Sequence, residues 1–585
     1  MNRSSLYNLL TLKSVWTNEH AIMTILAMLV GLAGGFGAIG FRWLISFCQR
    51  VFYGSGGELL DVLLAAPWYA KIWVPAAGGL IVGPLVYFLA REAKGHGVPE
   101  VMAAVALHSG IIRKRIVVIK SLASAVSIGS GGSVGREGPI VQIGSAIGSV
   151  IGQLLNVSAD RIRTLVGCGA AAGIAATFNA PIAGAMFALE IVLGDFGLAT
   201  FSPIVISAVS ATAVSRHFLG DFPAFVVPAY ELASKWEFPL YITLGLFCSF
   251  VAVAFTRFLY LAEDLFDDFK FPEYLKALLG GVILGIVGLL FPSLLGVGYG
   301  GIDACLGDQL AWWMMFVLVF GKIVATSITI GSGGSGGIFA PSLFIGAMAG
   351  GFFGTAAHAL FPEIASSPGA YSIVGMGAVV AGTTHAPLSA ILILFEMTGD
   401  YKIILPLMTA CIISSLTAGQ LFTESIYTLK LARRGVNLKA GREVNVLKSI
   451  SVRSAMNPDI DTVREGMSLG ELADKISKSK YNSFPVVNSE GHLAGILSFL
   501  DYKDVAFDTN LKDLVVAKEL ATANVVTVSV DDNLYDALEK ITSKDFSILP
   551  VVSPADPTTL LGILTRRDII GAYDKGVIKR SLLDK

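Results

Sequence analysis

Four short segments of this chain pair residue types that suit the handling of an anion. They are Gly95-His96-Gly97-Val98-Pro99, Gly135-Arg136-Glu137-Gly138-Pro139, Gly337-Ile338-Phe339-Ala340-Pro341 and the single residue Tyr427. Glycine followed by proline suits a chain that breaks and then enters a helix, because proline is tolerated in the first helical turn. Free N–H groups at such a start, with the positive end of the helix dipole, make an anion site. That site holds an anion without a full positive charge, so release can remain fast. One motif of this kind fits tight glycine packing between helices equally well. Three of them, two related by an internal repeat, favour the anion reading. Glu137 places a carboxylate at the same kind of helix start, where its charge and a bound anion would compete; its alternative role is a structural N-terminal carboxylate.

The elements that must position these residues are apolar. Only 15% of the 585 residues are charged, against about 25% in a typical soluble domain, and the mean hydropathy is +0.68. That deficit points to lipid as the solvent for much of the chain. Apolar runs at Ala21–Gly40, Ile72–Ala90, Pro239–Phe255, Leu278–Phe291, Trp312–Ile330 and Ile403–Leu421 approach the roughly 17–25 residues of a spanning helix. Glycine is abundant, at 64 residues, and clusters inside the apolar stretches, as close helix packing or broken helices in a membrane require. The formal net charge of −1 implies no nucleic-acid partner. Cys48, Cys168, Cys248, Cys305 and Cys411 are scattered, with no disulfide framework and no CxxC metal pattern. The polar start, Met1 to His20, carries no pattern of a cleavable signal peptide.

The apolar part is duplicated. Lys120-Ser121 through Gly129-Ser130-Gly131-Gly132-Ser133 to Pro139 returns as Lys322-Ile323 through Gly331-Ser332-Gly333-Gly334-Ser335 to Pro341, at a constant offset of 202 residues. Asn179-Ala180-Pro181 with Glu190 returns as His385-Ala386-Pro387 with Glu396, at an offset of 206. Gly95-His96-Gly97 pairs with Gly298-Tyr299-Gly300 at an offset of 203. Duplicated transporters place their substrate site between the halves, on broken helices near mid-membrane.

Composition changes near Tyr427. Lys430, Arg433, Arg434, Lys439 and Arg442 follow, then an ordinary soluble pattern. A basic cluster directly after a span marks the cytoplasmic side; Arg113, Lys114 and Arg115 suggest the same side for their loop. The tail is itself duplicated: Tyr481-Asn482-Ser483-Phe484-Pro485-Val486-Val487 to Asp501 matches Phe546-Ser547-Ile548-Leu549-Pro550-Val551-Val552 to Asp568. Each copy reads as helix, strand, turn, strand, helix, with Ser498 and Thr565 where an N-cap belongs.

The three glycine–proline segments resemble the signatures of the CLC chloride channel and transporter family, which there read GSGIP, GREGP or GKEGP, and GxFxP. Tyr427, within Ser425-Ile426-Tyr427, is similar to that family's inner tyrosine, and the tail resembles the paired CBS domains of many members. The resemblance implies an all-α polytopic membrane domain of two inverted repeats with broken helices, over residues 1–432 (repeats 20–220 and 235–428), and an α/β cytoplasmic tandem of CBS domains over 433–585 (450–508 and 515–578). It implies a multi-pass protein of the inner membrane and a homodimer with one path per subunit for chloride or a similar small anion. Glu137 would be the gate. His96, Gly97, Arg136, Gly138, Ile338, Phe339 and Tyr427 would form the anion path, with the amides of Ile338 and Phe339 and the Tyr427 hydroxyl on the central anion. Two departures stand out. His96 replaces the family's usual serine; it could donate to an anion and switch charge near neutral pH, or pack as a neutral ring. Ile191 replaces the second of two glutamates found in proton-coupled members, which leaves passive conduction and exchange with protons both open.

In the tail, Asp501 and Asp568 could accept from ribose hydroxyls and Tyr481 could stack on adenine. The resemblance favours Tyr481, Asn482, Ser483, Thr565 and Asp568 as a regulatory site for ATP, ADP or AMP; a tail that only packs at a dimer interface is the alternative. No cofactor is required and no metal site is expected. Gly331–Gly336 fits G-x-G-x-x-G but lacks the following acidic residue and a βαβ setting, and Gly129–Gly135 lacks the Lys-Ser/Thr end of a P-loop. A divalent-cation transporter with CBS domains and a membrane-anchored nucleotide-sensing protein are the competing classes. The first would need more carboxylates in its spans; for an enzyme, no Ser/His/Asp set or nucleophile motif appears.

Overall fold

The computed structural model describes residues 19–221, 234–436, 447, 450–479, 481–503, 505, 514–543 and 546–583, which fall into two compact units dividing after Asn437. Residues 1–18, Lys439, Arg442 and the expected end of the first CBS segment near 508 lie outside them.

In the first unit, runs of apolar residues form helices that stop at glycine and restart at proline. The first half holds α1 (Glu19–Tyr53), α2 (Leu59–Ala65), α3 (Trp68–Pro84), α4 (Val98–Leu107), α5 (Arg115–Gly129), α6 (Glu137–Leu154), α7 (Ala159–Phe178), α8 (Pro181–Phe187) and α9 (Leu198–Leu219). The second holds α10 (Phe238–Asp268), α11 (Glu273–Leu290), α12 (Tyr299–Leu306), α13 (Trp312–Gly331), α14 (Phe339–Leu360), α15 (Pro368–Thr384), α16 (Pro387–Thr398), α17 (Ile404–Leu421) and α18 (Thr428–Arg433). Among the described residues, eight helices are long and apolar enough to cross a membrane. Two of them, α9 and α14, are spans that hydropathy runs alone had not marked; serine, threonine and glycine dilute them. The chain is a multi-pass membrane protein.

Apart from α2 and α18, the two halves match helix for helix, and the same glycines bring the same helices together. A Cβ at Gly144 would lie 2.1 Å from the Gly169 carbonyl in the α6–α7 pair, and one at Gly346 would lie 2.4 Å from the Gly375 carbonyl in the α14–α15 pair. Between halves, Gly79 of α3 lies against the Ala277 carbonyl of α11, and Gly281 of α11 against the Pro75 carbonyl of α3. Close approach of this kind replaces the hydrophobic drive that lipid does not supply. The halves are inverted repeats. Gly135 and Gly337, equivalent residues, exchange both backbone hydrogen bonds, at 2.7 and 2.6 Å, as a two-fold axis between them demands.

One expected register needs correction. Gly97 (φ 85°) caps α4 and Gly298 (φ 94°) caps α12, so the first signature pairs with Gly296-Val297-Gly298 at an offset of 201, not with Gly298-Tyr299-Gly300 at 203. The glycine that must adopt φ > 0 sets the match, and counting glycines cannot tell which one that is.

The second unit holds two three-stranded sheets. In one, β1 (Val463–Arg464) runs parallel to β2 (Ser483–Val487), which pairs antiparallel with β3 (Leu493–Ser498). In the other, β4 (Val528–Ser529), β5 (Ile548–Val552) and β6 (Leu560–Thr565) repeat the arrangement. The short strands β1 and β4 come in addition to the expected two strands per copy. The motifs exchange their opening segments: Ala517 packs into the first core with Leu472, Phe484 and Leu497, and Val452 into the second with Leu534, Leu549 and Leu564.

Candidate anion site and tail cleft

Four loops meet at the centre of the first unit, and each leads into a helix start. Besides the Gly135–Gly337 bridge, Gly95 donates to the Gly334 carbonyl at 3.1 Å and accepts from Gly336 N–H at 3.3 Å. Two buried lysines hold the approach to the short helices. Lys120 Nζ donates to the carbonyls of Ala93 (3.0 Å) and Gly95 (2.7 Å). Lys322 Nζ donates to those of Leu294 (3.1 Å) and Gly296 (2.9 Å). Each ammonium fixes the chain just before a glycine cap, which explains why a lysine recurs 202 residues on although it is fully enclosed.

At α14 the first intrahelical donor is Ser342, whose N–H reaches the Ile338 carbonyl at 3.0 Å. The amides of Ile338 and Phe339 precede it and belong to the orphan donors of a helix start. Both residues are buried, and the Phe339 ring packs against Phe178 (5.7 Å between centroids) and Phe187 (6.4 Å). Gly138 is squeezed against the His96 carbonyl and Gly337: a Cβ there would sit 2.3 Å from the former oxygen. Gly97 faces Gln142, whose Oε1 would lie 2.7 Å from an added Cβ. The His96 ring lies 5.7 Å from that of Tyr427; both are enclosed, and His96 Nδ1 has no hydrogen-bond partner among the described residues. Tyr427 is set by its own turn, its N–H reaching Ser425 Oγ at 3.3 Å, and by Tyr260, whose hydroxyl donates to the neighbouring Ile426 carbonyl at 2.7 Å.

His96, Gly97, Gly138, Ile338, Phe339 and Tyr427 thus belong to one cluster of helix starts, together with Glu137 at the first position of α6. Arg136 sits at the α12 side of this cluster. Its guanidinium lies over the Tyr299 ring, 5.6 Å from the centroid. Glu137 is 1% exposed and accepts a hydrogen bond on Oε1 from the Tyr299 hydroxyl at 2.9 Å. Tyr299 and the lysine pair were not singled out from sequence as site residues; the lysines' recurrence at the repeat offset was the available signal. Ile191 lies buried in a π-turn over Ala188–Leu193 that continues α8.

In the second unit, Asn457 joins the halves of the candidate nucleotide cleft. Its backbone pairs with Ile563 of β6 (2.9 and 3.0 Å), and its Nδ2 donates to Tyr481 Oη at 2.9 Å. That brings Tyr481, Asn482 and Ser483, at the start of β2, towards Thr565 and Asp568, at the end of β6. Asp568 Oδ2 accepts from the Thr565 N–H (2.9 Å) and hydroxyl (2.6 Å), and Asp501 does the same with Ser498. Both aspartates therefore close capping turns.

Comparison with known proteins agrees with this architecture. The chain is 39% identical over 415 residues to a ClcB-like chloride channel homologue from Ralstonia nicotianae, covering 70% of this chain and 97% of that one. A solved structure of a slow cyanobacterial Cl−/H+ antiporter superposes with a TM-score of 0.64 at 28% identity, over 70% of this chain and 97% of that one. A eukaryotic CLC transporter shares the fold at 20% identity and TM-score 0.61, over 93% of this chain. Residues 452–506 and 517–575 match the CBS domain. Residues 78–419 match the voltage-gated chloride channel family, and with the 39% relative this establishes that the chain is a member of the CLC family.

Proposed function

We infer that this protein moves chloride or a similar small anion across the inner membrane through a path in each subunit of a homodimer, with Glu137 as the gate and no enzymatic reaction. The observation that carries the reading is the convergence of the α4, α6 and α14 starts, with Tyr427, on one set of hydrogen-bonded glycine loops. Orphan N–H groups there attract negative charge, and the Glu137 carboxylate competes for the same field. The CBS unit lies on the cytoplasmic side, as the basic residues after α17 suggest, and takes an adenine nucleotide between Tyr481 and Asp568 as a regulator.

Coupling has two readings. The antiporter among the similar structures favours exchange with protons; the apolar Ile191, where coupled members carry a glutamate, favours passive conduction. Purified protein in chloride-loaded liposomes tests both. Anion efflux should appear, and Glu137→Gln, which mimics the protonated acid, should raise or free it, flatten its pH dependence and abolish any proton pumping. A dead variant that still binds chloride, or one with wild-type pH dependence and coupling, refutes the gate. Absence of anion flux in wild type would favour the cation-transporter or sensor reading.

A further inference from the structure

Tyr299 is the partner of Glu137, and neither sequence signature includes it. It is the first residue of α12, directly after the cap Gly298. Its hydroxyl donates to Glu137 Oε1 at 2.9 Å, and its ring face carries the Arg136 guanidinium. The phenol is therefore held from both sides by two consecutive residues of the gate loop.

The internal repeat shows that the fold does not need this pair. The residue equivalent to Tyr299 is Val98, first in α4, and the residue equivalent to Glu137 is Phe339, first in α14. Across the two halves, one combination of these equivalent positions, Tyr299 of the second half with Glu137 of the first, is a donor–acceptor pair, while the symmetry-related combination, Val98 of the first with Phe339 of the second, is apolar. Both apolar residues are buried, so a buried tyrosine hydroxyl at 299 is not a by-product of the turn.

Resting on the reading of Glu137 as the gate, we propose that Tyr299 is a positioning residue that latches the Glu137 carboxylate in its resting place and thereby sets the pH at which the path opens. A hydrogen bond to a carboxylate favours its ionised form. The phenol supplies that bond without a full positive charge, so the carboxylate can still leave; a guanidinium in its place would pin it. Arg136 instead grips the ring, a cation–π contact that fixes the hydroxyl's aim. The charged and titratable groups facing Glu137 are Arg136 of its own loop, Tyr299 of α12 and Tyr427 before α18, while Arg42 of α1 faces Arg136 and Tyr299.

The test is chloride efflux from proteoliposomes over a range of pH, for wild type, Tyr299→Phe, Glu137→Gln and the double variant. Tyr299→Phe keeps the ring under Arg136 and removes the hydroxyl that donates to Glu137. Glu137 then protonates more readily, so the activation midpoint should move to higher pH by about one unit, a tenfold change in proton affinity. Tyr299→Val, the first repeat's residue, should give a shift of the same sign, which covers the case of a poorly folding Phe variant. In the Glu137→Gln background Tyr299→Phe should change nothing. An unmoved midpoint in both tyrosine variants, beside a flat Glu137→Gln profile, overturns the latch and leaves the gate standing. A Glu137→Gln profile that keeps wild-type pH dependence overturns the gate and the latch with it.

Discussion

Glu190 and Glu396 occupy equivalent positions in the two halves, and each caps the helix that carries the other. Glu190 accepts from the N–H groups of Leu388 (3.3 Å) and Ser389 (2.7 Å) and from the Ser389 hydroxyl (2.6 Å), at the start of α16. Glu396 accepts from the N–H groups of Ile182 (3.1 Å) and Ala183 (2.7 Å), at the start of α8. Helix starts leave orphan donors that water cannot reach inside a membrane. The carboxylate that closes each one comes from the other repeat, so the two halves lock together by exchanging caps.

Removing one of these caps should weaken the joint between halves. Glu190→Ala leaves the part-buried Ser389 N–H, the Ser389 hydroxyl and the Leu388 N–H without this acceptor, which costs about 1–3 kcal/mol, while Glu190→Gln keeps an oxygen there and should cost less. Glu396→Ala should behave alike, and the two losses should nearly add, since they serve different helix starts. Thermal stability of the detergent-solubilised variants, followed by size-exclusion chromatography, checks the order alanine below glutamine below wild type. Equal stability across the series would show that the exchange of caps is incidental.

His96 invites a second measurement. Its ring stands beside Tyr427 with Nδ1 unengaged among the described residues. If that nitrogen faces the anion, adding a proton to the ring adds attraction, and efflux should carry a component that appears at acid pH. His96→Ser should remove that component and leave the Glu137 component in place. A mutant profile identical to wild type would make His96 a packing residue.

The tail offers a third. Adenine nucleotide should bind the purified full-length protein, and Asp568→Ala should weaken it by about 1.5–3 kcal/mol, the value of a hydrogen bond to a charged group. Because Asp568 Oδ2 also closes the turn at Thr565, Asp501→Ala is the control: it breaks the equivalent turn at Ser498 without touching the expected ribose contact. Calorimetry should show loss for Asp568→Ala and near-wild-type affinity for Asp501→Ala. Equal losses would mean that the turns matter and the ribose contact does not exist.

What the sequence determined by itself was whatever its own local pattern must produce. Apolar runs with few charges have to be lipid-facing helices, a glycine–proline pair has to break and restart one, and a run repeated after 202 residues has to fold twice. The family, the duplicated membrane unit and the paired tail all follow from such patterns. The tertiary structure decided what depends on contacts between residues far apart in the chain. Only it could choose between Gly298 and Gly300 as the partner of Gly97, because the choice turns on which backbone takes a positive φ. It laid Arg136 over the ring of Tyr299, brought Tyr299 to Glu137 across 162 residues of chain, and sent Glu190 and Glu396 to each other's helices. Side-chain hydrogen bonds join groups by position in space, and nothing in a residue's neighbours along the chain specifies where such a partner will be.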